Sequence, residues 1–475
     1  MLTLIAQNIL NFDKAEVENL NNLIDSYNAH ITKNIEKDKY YEGKVTLNDV
    51  NLGIALPQGM MGLEIGCAWG AKTVDVLAAR SMFDGYVGMN GEDIEVLDRL
   101  VVDNDLIEEY AKACRDELKF GCTFATLSAD PNVGCRIRFH SPMTAAASWD
   151  GEKGRIGRGF AIIDSVPDNT TKMWEPSVIY YYTDYAVWEL RREANIWKAA
   201  EHLHKMGRPL MEALIWNATS NKPFGRSRIK EPIRRLIQGY VRTIANATIG
   251  LEFSTAPQKY LLGVTDDQFD AVVNDKFRQY VGSIIAATTN PDTSEKPTFG
   301  QLQQGSISPH VEMVRVLATQ FSAATGLSVT DTGVVNDSNP TSSDAILAQS
   351  QTLVAMAEQL NIGNGNSMRT IALMAQAIAL NTRIEDLDEV QIDVVAHFKN
   401  PAMPSVAMTA DAAIKIASVR PDFAQTDVFA EMIGFDKADI RRIKAQEQRL
   451  AGIRLISEME EEFTPEQTEE QTQVG

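Results

Sequence analysis

The chain has 475 residues, of which 44% are hydrophobic and 23% are charged, so it is long enough to bury a large core. Its formal net charge is −19 and its isoelectric point lies near pH 4.9. That acidity excludes the broad basic face with which proteins ordinarily wrap nucleic acid. The sequence has no apolar run long enough for a transmembrane helix, and its start predicts an amphipathic helix rather than a signal peptide.

The first part of the chain predicts helices and then strands. Apolar residues at helical spacing predict helices over residues 1–40 and 94–118, and within AWGAKTVDVLAARSMFDGY. From Cys122 to about Tyr182, alternating and β-branched residues predict strands, with SWDGEKGRIGRG as a hairpin tip. The order of these elements indicates an α+β fold.

The second part of the chain is predominantly helical. Helices are predicted over residues 231–251 and over PHVEMVRVLATQFSAATG, which stops at Gly326. A further helix starts after SNPTSSD, and another is predicted over residues 367–380. EVQIDVVAHFKNP predicts one strand, residues 409–462 predict helices again, and the acidic tail predicts disorder.

The stretch GLEIGCAWGAKT, around Gly66 and Gly70, suggests a cofactor site. It is similar to the glycine-rich first motif of S-adenosylmethionine-dependent methyltransferases, which needs a buried parallel strand before its tight turn. It also nearly forms a P-loop, but Ala71 stands where a glycine must precede the lysine. A helix start explains the stretch better, and a methyltransferase is retained as the alternative function.

The sequence shows no pattern that carries catalysis. Its four cysteines form no CxxC pair and no zinc spacing, which indicates buried, reduced thiols. Ser/His/Asp, Cys/His and paired-carboxylate arrangements are not recognisable either. We therefore expect a protein that is not an enzyme and that uses no metal and no cofactor.

A local basic cluster interrupts the acidic sequence. It is the stretch GRSRIKEPIRR, which suggests either ordinary surface ion pairs or a contact with another subunit or with nucleic acid. The candidates for a subunit interface are Arg226, Arg228, Arg234 and Arg235.

Three segments, read in order, resemble the portal proteins of tailed bacteriophages, specifically the SPP1-type group. SWDGEKGRIGRGFAIIDS through VIYYYTDYAVWEL is similar to the hairpin and next strand of their wing domain. The stretch from GRPLMEALIWN to KYLLG is similar to the segment through the first stem helix. GSISPHVEMVRVLATQFSAATG, with the residues up to AEQLN, is similar to the second stem helix, the tunnel loop and the long helix that follows.

The resemblance implies a portal fold assembled as a ring, with an α/β wing, a stem of long helices, a small α/β clip and a helical crown. The implied boundaries follow the chain: 1–228 for the N-terminal wing, 229–254 for a stem helix, 255–305 for the clip, 306–326 for the second stem helix, 327–404 for the tunnel loop, long helix and wing return, and 405–475 for the crown and acidic tail.

The implied function is a ring, usually of twelve subunits, at the unique capsid vertex. Double-stranded DNA would pass through it during packaging and ejection. The implied partners are further copies of the chain, the large terminase subunit, a head–tail adaptor, and the major capsid and scaffolding proteins, with no membrane. The protein would lie in the virion, and in the host cytoplasm during assembly.

The resemblance also assigns individual residues. Independently of the resemblance, the spacing of Thr341 and Asp344 fits a capping box at the start of the long helix. The tunnel loop would face DNA with polar groups that lack a lysine's charge, so it would guide the duplex without retaining it. Its residues would be Asn336, Asp337, Ser338, Asn339, Thr341, Ser342 and Ser343. The clip residues expected to contact partners are Asp266, Asp267, Asp270, Lys276 and Arg278.

Overall fold

The structure is a computed structural model that forms two compact units, Met1–Pro401 and Ala402–Gly475. The second unit begins three residues before the crown boundary expected from the sequence, and the functions assigned to the individual regions stay predictions. The described residues are 2, 4–46, 65–89, 94–167, 174–193, 196–255, 259–262, 298–301, 306–333, 343–402, 406–435 and 437–462.

The first unit opens with helices that surround a short strand pair. Strand β1 pairs antiparallel with β12 (Val394–Phe398), which lies some three hundred residues later in the chain. The early elements are α1 (Val17–Tyr41), α2 (Trp69–Ala78), β1 (Phe83–Gly88), α3 (Glu95–Asp103) and α4 (Leu106–Phe120).

Two antiparallel sheets follow, as the β-rich pattern predicted. One sheet has the order β3-β2-β9 and the other the order β4-β5-β6-β7-β8. The predicted hairpin tip joins β4 to β5, and Gly154 there has φ +62°, which glycine adopts without strain. The strands are β2 (Cys122–Asp130), β3 (Gly134–His140), β4 (Ala145–Asp150), β5 (Arg155–Pro167), β6 (Trp174–Tyr182), β7 (Ala186–Glu193), β8 (Ile196–Leu203) and β9 (Met211–Ile215).

The five-stranded sheet packs against α1. Buried Leu20, Ile24 and Ile31 of the helix share one apolar cluster with Phe160 and Tyr181 of the sheet. Because α1 repeats its apolar residues at helical spacing and the strands alternate theirs, each element presents one apolar face to the other. The mixed helix and sheet architecture confirms the α+β prediction.

After the sheets, the chain leads away through one long helix and returns through a second one. Helix α5 (Glu231–Thr255) leads to β10 (Lys259–Leu262), which pairs antiparallel with β11 (Thr298–Gln301). Helix α6 (Ser308–Thr325) then runs back and ends at Gly326, whose φ of +73° is typical of a helix C-terminus. The return is completed by α7 (Ser343–Ala379), α8 (Glu389–Ile392) and β12.

Some predicted element boundaries are wrong. The single helix expected over residues 94–118 is two, because Asp105 takes a left-handed conformation with φ +49° between α3 and α4. The two helices expected between residues 343 and 380 are one continuous helix, α7. The residues DGY at the end of the helix expected around Val74 belong to strand β1 instead.

The second unit consists of helices, as expected for residues 409–462. Its elements are α9 (Val406–Val419), α10 (Asp427–Ile433) and α11 (Lys437–Glu462), with a 3-10 turn before α10. The Thr426 side chain accepts a hydrogen bond from the Phe429 amide and caps α10. Among the described residues of the whole chain, no helix combines the length and apolar character needed to cross a bilayer.

Candidate functional site

Helices α5 and α6, called here the helix pair, pack against each other in antiparallel orientation. Buried residues recur every fourth position on α5, namely Ile233, Ile237, Val241 and Ala245. Gly239 on α5 lies against Leu317 on α6, and a Cβ at Gly239 would come within 3.2 Å of a Leu317 methyl group. The absence of that Cβ therefore lets the two helices approach closely.

Trp69, the first residue of α2, lies between the two members of the helix pair. Its ring stacks on Phe321 of α6 with a centroid distance of 4.7 Å and lies 4.7 Å from the Tyr240 ring of α5. Its indole N–H donates to the Thr332 carbonyl at 3.2 Å, so the polar end of the ring is also satisfied. Trp69 thus joins both helices to the segment that follows α6.

Arg228 is buried just before α5 and binds the C-terminal end of α6. Its guanidinium donates to the Thr325 carbonyl at 2.8 Å and to the Thr73 carbonyl of α2 at 2.6 Å. A third nitrogen lies 3.5 Å from the Met356 sulfur of α7. Burial lowers the pKa of Arg228 to about 10, which leaves it charged at neutral pH. The negative end of the α6 dipole stabilises that charge.

The segment after α6 is held in place up to Gly333. The φ of +73° at Gly326 ends the helix, and a Cβ there would overlap the end of the Met356 side chain on α7. The Ser328 hydroxyl donates to the Asp331 carboxylate at 2.8 Å, and the Ser328 amide donates to the same oxygen at 3.0 Å. One edge of the expected tunnel loop is therefore fixed by local hydrogen bonds and by packing against α7.

The loop itself, residues 334–342, lies outside the described residues, and so do the side chains of Ser343 and Asp344. The loop assignment and the capping box therefore stay predictions. In the sequence, no Lys, Arg or His occurs between Arg315 and Arg369. The stretch that contains the end of α6, the loop and most of α7 thus carries carboxylates and no basic side chain.

The four arginines of the basic cluster have different surroundings within the chain. Arg234 bridges Glu36 of α1 and Glu231 of its own helix, each at 2.6 Å. Arg235 is mostly exposed and pairs with Glu231 at 2.8 Å, and Arg226 is exposed. Their contact with a neighbouring subunit stays a prediction. The enclosed position of Arg228 indicates an intramolecular use that sequence reasoning missed, since nothing in GRSRIKEPIRR distinguishes it from its neighbours.

The clip residues expected to contact partners lie between β10 and β11, outside the described residues. Asp266, Asp267, Asp270, Lys276 and Arg278 therefore stay predictions. The described part of this region is the antiparallel pairing of β10, which follows α5, with β11, which precedes α6.

The stretch GLEIGCAWGAKT has a packing use in the structure. Gly70 approaches the end of α1 so closely that an added Cβ would overlap the Tyr40 carbonyl, whereas Gly66 has open space around it. The named strands of the described sheets pair antiparallel, and an isolated parallel bridge joins Leu10 to Lys198 of β8. The motif would need its parallel strand directly before Gly66, where residues 47–64 lie outside the described residues, so the methyltransferase alternative stays a prediction.

The four cysteines are free and buried, as predicted. Burial raises the pKa of Cys67 to about 11 and those of Cys122 and Cys135 to about 12, so these thiols stay protonated. In the described part of the chain, no group of three His, Cys, Asp or Glu side chains is placed to hold a metal ion.

Comparison with known proteins gives a distant structural similarity. No protein-family model and no curated protein sequence matches the chain. The chain is similar to proteins in the neck of an empty GTA particle computed with C6 symmetry, at 13% identity and a TM-score of 0.42, covering 74% of this chain and 86% of the other. It is also similar to the neck of a native GTA particle computed with C12 symmetry, at 12% identity and a TM-score of 0.42, covering 77% and 89%. Similarity of this degree carries no functional argument.

We expect Gly70→Ala to lower the free energy of unfolding by roughly 1–3 kcal/mol, because the new Cβ forces α2 away from the end of α1. The matched control is Gly66→Ala in the same stretch, which meets no atom within 4 Å. Chemical denaturation of the two variants measures the difference. Equal stability of the two variants would contradict the packing use of Gly70.

We expect Arg228→Met to destabilise the protein by roughly 1–3 kcal/mol, because the Thr73 and Thr325 carbonyls lose their buried donor. The same substitution at exposed Arg226 should change stability by less than about 0.5 kcal/mol. Urea unfolding of the full chain compares the two. If Arg226→Met is the more damaging change, Arg228 does not anchor α6.

Proposed function

We propose that this chain is a subunit of a bacteriophage portal ring of the SPP1-type group, a structural protein without enzymatic activity. The proposal rests on the described order of elements: antiparallel sheets, helix α5, a strand pair, the returning helix α6, and the long helix α7. The sequence segments that resemble the wing, the two stem helices and the long helix overlap the sheets, α5, α6 and α7 in the same order.

The helix pair supports a ring because apolar side chains at one end of it are exposed among the described residues. The side chains of residues 246–251 on α5 and of residues 306–316 on α6 are all exposed or half-buried. Val311, Met313 and Val316 on α6 are each about half exposed. In a ring, helix pairs from adjacent copies would cover these apolar side chains, in a heterologous contact that closes on itself.

The charge distribution suits passage of DNA rather than its retention. A duplex is held mainly through phosphate contacts to Lys and Arg. The stretch between Arg315 and Arg369, which includes the tunnel-loop residues Asn336, Asp337 and Ser338, offers none. The net charge of −19, repeated around the ring, would also disfavour stable adhesion of a polyanion.

The remaining parts of the proposal follow from this assignment. The ring would contain twelve copies and would lie at the capsid vertex, in contact with the major capsid and scaffolding proteins. The segment between β10 and β11 would bind the large terminase subunit during packaging and a head–tail adaptor afterwards. The residues expected to make these contacts are Asp266, Asp267, Asp270, Lys276 and Arg278.

Electron microscopy of the purified chain tests the proposal. We expect negatively stained particles to be rings with an open axial channel, and native mass spectrometry to give a closed oligomer. Val241→Pro should abolish rings, since it places proline inside α5. A wild-type preparation that stays monomeric and transfers a methyl group would overturn the proposal in favour of the methyltransferase alternative.

Replacing Asp337, Ser338 and Asn339 together with lysines should leave rings intact and strongly reduce DNA packaging. The added cations would retain the moving duplex through its phosphates. The matched control replaces the same three residues with alanine, which changes the polarity without adding positive charge. Packaging assays on particles assembled with each variant measure the effect. Normal packaging by the lysine variant would place these residues outside the channel.

A further inference from the structure

Glu117 of α4 is a fully buried carboxyl group that forms no ion pair with a Lys, Arg or His side chain among the described residues. It is 0% exposed, and the hydrogen bond that the structure gives its side chain comes from the Asn364 amide of α7, at 2.8 Å. The same Asn364 nitrogen donates to the Tyr110 hydroxyl at 2.8 Å, and that hydroxyl lies 2.7 Å from the Ser81 hydroxyl. Asn364 thus joins the middle of α7 to α4 through a buried polar network.

The part of α7 around Asn364 is intrinsically weak helix. Gly363 and Gly365 flank it, and Asn361 and Asn366 lie close on either side. Each glycine costs about 1 kcal/mol relative to alanine in a helix interior, and asparagine is also a poor helix former. A Cβ at Gly363 would meet nothing within 4 Å, so packing does not require glycine there. The helix at this point therefore depends on tertiary contacts such as the one to Glu117.

The polar network lacks hydrogen-bond donors for two of its acceptors. Glu117 Oε1 and Asn364 Oδ1 are both buried acceptors without a hydrogen-bond partner among the described residues. Two unpaired buried acceptors are costly, whereas one proton on the carboxyl group turns one of them into a donor. We propose that Glu117 is kept as a neutral carboxylic acid and that its proton holds the glycine-flanked part of α7 to α4, so that loss of the proton releases this part of the helix.

The electrostatic surroundings agree with a neutral acid. Burial raises the pKa of Glu117 to about 8, which the hydrogen bond from Asn364 only partly offsets. The titratable groups that interact with it are Tyr110 and Cys114 on its own helix and Cys122 on β2. Burial raises the pKa of each of them as well, so all three are uncharged at neutral pH.

The sign of the pH effect follows from the raised pKa. An unfolded glutamate titrates near 4.5, so folding takes up a proton wherever the pH lies between that value and about 8. The stabilisation due to the protonated form is complete below the unfolded pKa and is lost as the pH rises through the folded one. Between those two values, each unit of pH should approach a tenfold loss of protection of the α7 segment, and the loss should level off above pH 8.

Hydrogen exchange of the full chain between pH 6 and pH 9, corrected for intrinsic rates, tests the proposal together with infrared spectra of the same samples. In the wild type we expect exchange of residues 360–368 to accelerate as the pH rises, while the carbonyl band of a protonated buried carboxyl disappears. Glu117→Gln, which keeps a neutral donor, should remove both effects. The matched control is Glu108→Gln, the same change at an exposed position of α4, and it should show both effects.

Each outcome decides the matter. The proposal is overturned if the wild type lacks the protonated-carboxyl band at pH 6. It is also overturned if the corrected exchange rate of residues 360–368 does not change between pH 6 and pH 9, and both outcomes count even if Glu117→Gln fails to fold. Persistence of the pH-dependent exchange in a folded Glu117→Gln also overturns it. Because these measurements concern one subunit's interior, their failure leaves ring formation, and thus the proposed function, standing.

Discussion

The enclosed guanidinium of Arg228 fixes where the helix pair joins the rest of the chain. A buried charge is tolerated only where fixed dipoles replace its hydration, and here the Thr325 carbonyl at the end of α6 and the Thr73 carbonyl of α2 do so. Since Arg228 lies just before α5, which begins at Glu231, one side chain joins the start of that helix to the end of its partner. Trp69 fills the apolar space beside it with Phe321 and Tyr240. The start of α5 and the end of α6 are therefore held together by the same group of contacts.

Local periodic patterns were sufficient to predict much of this architecture. The helix over residues 231–251, the glycine stop of α6 and the hairpin tip between β4 and β5 depend on residues close together in the chain, and all three are confirmed. The α+β class is confirmed for the same reason, because alternation and helical periodicity occupy separate stretches. The segments assigned to loop and clip lie outside the described residues, and their roles remain proposals.

Contacts between residues far apart in the chain explain the features that sequence patterns did not predict. The sequence predicted two helices between residues 343 and 380, yet α7 is continuous, and Asn364 in its middle is held by Glu117 and Tyr110, far away in the chain. The sequence predicted the first part of β1 as the end of a helix, but these residues form a strand because they pair with β12, far away in the chain. Arg228 was indistinguishable from neighbouring arginines, since its burial depends on carbonyl groups from α2 and α6. Tertiary context overrode local propensity in each case.

The contacts that hold α7 differ in how they respond to solution conditions. Near the base, Met356 packs against Gly326 and lies beside Arg228, whose charge persists up to a pKa of about 10. Further along, Asn364 depends on a carboxyl group whose proton is lost at a pKa of about 8. A rise in pH therefore weakens the second attachment before it reaches the first. Under the proton-dependent arrangement inferred above, the middle of α7 loosens while the helix pair and the edge of the loop stay fixed.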